Sequence, residues 1–154
     1  MPSSVDLDDV YSTIIGERNP EEEETTMASP VVHFEIIGKD PSRLRSFYRD
    51  LFGWNAKIDP AVAAEVSASG NYGLIRKMST EDGTGIPGGI GGGKEYETHT
   101  VFYIGVENVR EALEKAESLG GKRTMGPVKR IGGGLVVAHF RDPEGNLFGL
   151  AGPR

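Results

Sequence analysis

In VVHFEII (31–37), His33 and Glu35 stand two residues apart, so a strand turns both side chains to the same side. A second apolar and aromatic run, HTVFYIGV (99–106), puts His99, Val101 and Tyr103 on one face in the same way. Such a set permits more than one chemistry. His33, Glu35 and His99 would make the two-histidine, one-carboxylate group that divalent metals use. Without a metal, Glu35 beside His33 in apolar surroundings would have a shifted pKa and could accept a proton. The simpler reading is that His33 lines a pocket, hydrogen-bonded to Glu35 or to backbone, and that His99 is a solvent-accessible strand end. His139, in VVAHFRD, has no partner at ligand spacing. Trp54, Tyr72, Tyr96, Tyr103 and Phe148 are candidate aromatic walls, and parity favours Tyr103. With no cysteine, the chain has no disulfide, thiolate metal site or cysteine nucleophile.

These residues need strands and helices to position them. VVHFEII reads as a strand whose other face, Val32, Phe34 and Ile36, packs on helices. DPSRLRSFYRDLFG follows as a helix, with Asp40 as N-cap, Pro41 at the first position, an apolar stripe of Leu44, Phe47, Tyr48, Leu51 and Phe52, and Gly53 as the stop. WNAKI (54–58) and YGLIRKM (72–78) read as strands, and AVAAEVSASGN between them as strand or loop. In the second half, HTVFYIGV precedes a helix capped by Asn108, with Glu111 in capping-box position and Val109, Ala112, Leu113, Ala116 and Leu119 as its buried face. KRTMGPVKRI, LVVAHFRD and NLFGLAG supply further strands, with IGGGL (131–135) and DPEG as turns. The halves superimpose at one offset of 68: His33 falls on Val101, Phe34 on Phe102, Leu44 on Ala112 and Gly53 on Gly121. One offset through strand, helix and helix stop is the mark of an internal duplication. The expected fold is α+β, two tandem βαβββ modules at about 31–93 and 98–151 within a domain of residues 27–154.

Residues 1–26 hold eight acids and one base, whereas the remaining 128 hold 15 acids and 16 bases. The extension reads as a short amphipathic helix (Leu7, Val10, Tyr11, Ile14) and an acidic linker. The near-neutral domain has no basic patch suited to nucleic acid, and no apolar run is long enough to span a membrane. No secretory signal is read at the N-terminus, and a cytoplasmic location is expected. GIPGGIGGG (85–93) lacks the Lys-Ser/Thr ending and the following helix of a phosphate loop. It reads as a strand and loop that a ligand or neighbouring chain approaches closely.

The segments VVHFEIIGKDPSRLRSFYRDLFGW, HTVFYIGVENVREALEKAESLGG and FRDPEGNLFGL resemble the vicinal oxygen chelate superfamily, which includes glyoxalase I, bleomycin-resistance proteins and extradiol dioxygenases. The resemblance is closest to its small glyoxalase-like branch. It implies two curved half-sheets enclosing one cup, and a homodimer. It also implies metal ligands from the first and last strands of each module. Here His33 stands at one such position, Val101 at its counterpart, and Gly149 where a glutamate is common; GGIGGG offers no ligand. No cofactor is therefore expected. The expected function is a metal-free cup, lined by His33, Glu35, His99, Val101, Tyr103 and Gly149, that binds a small hydrophobic or aromatic molecule. Alternatives are a metal-dependent lyase, isomerase or dioxygenase using His33, Glu35 and His99, and a regulatory or assembly role through the acidic N-terminal arm.

Overall fold

A computed structural model describes residues 28–76 and 85–154. The N-terminal extension, with its expected helix, and the end of the YGLIRKM segment lie outside the described residues. β1 (Val31–Gly38), α1 (Pro41–Phe52), β2 (Lys57–Ile58), β3 (Gly73–Ile75) and β4 (Gly88–Gly92) form the first βαβββ module. β5 (His99–Gly105), α2 (Val109–Ser118), β6 (Lys122–Lys129), β7 (Val136–Arg141) and β8 (Leu147–Gly152) form the second. AVAAEVSASGN is turns and loop, so β2 and β3 are shorter than the sequence suggests.

The eight strands form one curved mixed sheet in the order β2-β3-β4-β1-β5-β8-β7-β6. β1 and β5 run antiparallel at its centre, and each pairs in parallel with the last strand of its own module, β4 or β8. Glu35 of β1 pairs with Gly89 of β4, and Tyr103 of β5 with Gly149 of β8. Glu35 and Tyr103 are also related by the offset of 68, so the duplication seen in the sequence is the pseudo-symmetry of the sheet.

Both helices start as their sequences dictate. The Asp40 side chain accepts a hydrogen bond from the Arg43 amide, and Gly53 closes α1 in the left-handed conformation. The Asn108 side chain accepts one from the Glu111 amide. Asn108→Ala is therefore expected to cost about 1 kcal/mol in urea denaturation. Val109 and Leu113 of α2 are fully buried against Val136, Ala138 and Leu150. Leu119, expected on that face, is exposed because the helix ends at Ser118 and its cap leaves helical geometry. The α1 stripe is also only partly used. Leu44 and Tyr48 are half-buried, whereas Phe47, Leu51 and Phe52 are exposed. The apolar stripe is wider than the strip of sheet the helix covers. Phe52 and Tyr48 instead gather Trp54, which packs on Phe34, so Trp54 belongs to the helix side rather than to the cup.

A second core lies inside the cup. Ile37, Ala63, Val66 and Tyr72 pack there with Met125, Val128 and Val137 of the other module. The segment 59–68 thus crosses from one module toward the other. It is pinned by the Asp59–Arg130 ion pair at 3.2 Å, by the Ile131 amide donating to the Ala61 carbonyl, and by Ser67, buried against β4. No helix among the described residues is long and apolar enough to cross a membrane.

Candidate functional site

The concave face encloses a cavity of about 360 Å³. His33, Glu35, Tyr72 and Tyr103 line one part of it; Val62, Ala63, Val66, Leu74 and Val137 line most of the rest. Asp59, Arg76 and Arg130 supply its remaining charges. Strand parity places His33, Glu35 and Tyr103 here as expected. It fails at Val32, which also reaches the cavity, because a register shift between Val31 and His33 breaks the alternation against β5.

Glu35 is the centre of the polar part and is 3% exposed. Tyr72 donates its hydroxyl hydrogen to Oε2 at 2.9 Å, and Tyr103 donates to Oε1 at 3.0 Å. Each hydroxyl meets a histidine on its other side. His33 Nε2 is 2.9 Å from the Tyr72 oxygen, and His139 Nε2 is 2.6 Å from the Tyr103 oxygen. The five side chains form one chain, His33–Tyr72–Glu35–Tyr103–His139. Burial pushes the Glu35 carboxyl up to about 7, although both tyrosine hydrogen bonds oppose the rise. Burial lowers His33 to about 4 and, aided by His99, His139 to about 4, so both imidazoles are neutral at physiological pH. The same desolvation, with the charge of Glu35, raises both tyrosines above their ordinary range.

The glycines explain how the tyrosines reach Glu35. A Cβ at Gly149 would lie 2.4 Å from the Tyr103 ring, and one at Gly89 would lie 1.9 Å from the Tyr72 hydroxyl. Gly149 is therefore the bare floor on which Tyr103 lies, between Tyr103 and His139 in the register. Gly89 does the same for Tyr72. The approach expected over GIPGGIGGG is thus made by the chain's own rings, with Phe34 crowding Gly88 from the other face.

The other expected site residues do not join the cavity wall. Val101 is buried beside Glu35 in the β1–β5 register. His99 pairs with Ile37 at the strand end; its Nδ1 is bonded to the Glu97 carbonyl. It is not the open strand end of the simpler reading, since its Nε2 is buried without a partner and its ring stands edge-on to His139 at 6.1 Å. His139, which the sequence left without a partner, is in the network. Val137 and His139 share the cup face of β7, so the alternation applied to β1 would have found it. Tyr96 and Phe148 are not among the cavity-lining residues; Phe148 stacks on Phe140 at 6.2 Å.

The metal site implied by the fold does not fit these residues. Both Glu35 oxygens and His33 Nε2 are engaged by tyrosines, and Tyr103 fills the space above Gly149. Among the described residues, no group of three His, Asp or Glu side chains is placed to hold a metal.

A fold of two βαβββ modules around a cup agrees with a family comparison. The chain belongs to the Glyoxalase/Bleomycin resistance protein/Dioxygenase superfamily, whose family model matches residues 31–150. No curated protein sequence matches it. Among solved structures, it is similar to a Streptomyces coelicolor methylmalonyl-CoA epimerase variant in complex with 2-nitronate-propionyl-CoA. The TM-score is 0.59 at 16% identity, over 80% of this chain and 96% of that one. It is similar to the Mycobacterium tuberculosis methylmalonyl-CoA epimerase at TM-score 0.57 and 13% identity, over 84% and 94%. A Legionella pneumophila structure described as an NAD-dependent benzaldehyde dehydrogenase gives 0.52 at 13% identity, over 79% and 98%. Likeness at this identity establishes the fold alone.

Proposed function

We propose that this protein binds a small, mainly apolar molecule in its cup without a metal. The observation that carries this reading is a cavity walled largely by aliphatic side chains, whose carboxylate, Glu35, is held by tyrosine hydroxyls on both oxygens. Pockets of this size with few, fixed polar groups suit small organic ligands. With no third His, Asp or Glu placed beside them among the described residues, one carboxylate and one imidazole bonded to a neighbouring hydroxyl make a poor metal site.

The test has two arms. Untagged protein, purified without chelators, is dialysed against nickel, zinc, iron and manganese, and its metal content is measured. The expected result is no stoichiometric metal. One equivalent per chain, lost on His33→Ala, would overturn the reading in favour of a metal-dependent lyase, isomerase or dioxygenase. The second arm is a thermal-shift screen of apolar and aromatic compounds. A ligand at a hundred times its Kd is expected to add about 2.7 kcal/mol, or ~5–10 °C in Tm for a chain of this size.

A further inference from the structure

We infer that the ligand of this cup carries one protonated amine, on an otherwise apolar body, and that the ammonium seats against Glu35; this rests on the binding reading above. Glu35 lines the cavity, yet among the described residues no positively charged group pairs with it. Its hydrogen-bond partners are the neutral hydroxyls of Tyr72 and Tyr103. The nearby imidazoles, His33 and His139, bond to those hydroxyls instead and are kept neutral by burial. Of the guanidinium groups on the cavity wall, Arg130 is committed to Asp59 at 3.2 Å, and Arg76 is exposed. No ion pair among the described residues includes Glu35.

A buried carboxylate without a counter-charge is costly, so it takes up a proton or meets a cation. The tyrosine hydroxyls point their hydrogens at it, an arrangement that favours the ionised form. Each oxygen accepts one hydroxyl and keeps a lone pair that a ligand N–H could use. An ammonium would supply both the missing charge and the missing donors. A ligand carboxylate would be repelled by Glu35, and a neutral alcohol would gain a hydrogen bond without the charge. The aliphatic wall of Val62, Ala63, Val66 and Val137 would take the apolar body.

Isothermal titration with 3-phenylpropylamine, 3-phenylpropanol and 3-phenylpropanoate tests this directly. The measurement is made at pH 8, above the value of about 7 to which burial raises Glu35. The amine is expected to bind at least ~10-fold tighter than the alcohol, a difference of one charge-assisted hydrogen bond, with the carboxylate weakest. Glu35→Gln should bring the amine-to-alcohol ratio close to one while the alcohol still binds. The ratio in the unsubstituted protein is decisive even where the variant does not fold. Alcohol binding as tight as amine binding would overturn the inference and leave the cup a binder of neutral ligands. Heat from none of the three, with no compound stabilising the protein in the thermal screen, would overturn the binding reading and this inference with it.

Discussion

Gly149→Ala is expected to cost about 3 kcal/mol, the upper end of what one inserted methyl costs in a packed core. The added carbon would lie 2.4 Å from Cδ1 and 2.6 Å from Cε1 of Tyr103. The ring has nowhere to retreat, because its hydroxyl is held by Glu35 and His139 and the residue is 2% exposed. The clash is thus specific to one partner. In a Tyr103→Ala background the same substitution should be nearly neutral, giving a coupling of ~2–3 kcal/mol in a double-mutant cycle. Urea denaturation of the four proteins measures it. An equal cost in both backgrounds would mean that Gly149 is needed for its backbone and that Tyr103 does not rest on it.

The second large effect is on pH dependence. The folded state raises Glu35 from 4.5 to about 7, so it holds a proton that the unfolded chain has released. That term favours folding at low pH and fades as pH rises from about 4.5 to about 7, by roughly 3 kcal/mol at 1.36 kcal/mol per unit. His33 and His139 act in the opposite sense. Each falls from 6.5 to about 4 in the folded state, so the unfolded chain binds their protons first and stability grows as pH climbs through that window. From pH 4.5 to 6.5 the carboxyl cancels one of the two imidazoles. Glu35→Gln removes the cancellation. Relative to the unsubstituted protein, the variant should gain about 3 kcal/mol between pH 4.5 and 8, whatever constant offset the amide introduces. Groups common to both proteins drop out of this difference. Parallel stability curves would show that Glu35 titrates alike in the folded and unfolded chains and that burial does not govern it.

Much of this arrangement is legible in the residues. The constant offset between halves carries the modules, and period-two alternation carries His33, Glu35 and Tyr103 to the concave face. Alternation would also have delivered His139 from VVAHF. Tyr72 is harder to place, since it stands just before a three-residue strand and acts by folding back over β4. Its trace in the sequence is the pair Gly89 and Gly91, two residues apart on one face, which leaves a flat strip for a ring. Other features have no local signature. The irregularity at Val32 arises from pairing with β5, and the exposure of Phe47 and Leu51 from how little sheet α1 covers. An amphipathic pattern records which face is apolar, not how much of it finds a partner.

The chain of five side chains has two arms and one carboxyl, and that count has a consequence for what the cup offers a ligand. With Glu35 ionised, both hydroxyls donate inward, so His33 and His139 must each donate from Nε2, leaving each Nδ1 as an acceptor. A single proton on Glu35 has one direction in which to point. It reverses the donors along one arm, moves that histidine to the Nδ1–H tautomer, and leaves the other arm as it was. The protonated state is therefore left- or right-handed where the ionised state was balanced. Only His33 lies on the cavity wall. One choice of hand changes the imidazole beside the ligand from acceptor to donor; the other leaves it untouched and stores the change out of the ligand's reach, at His139.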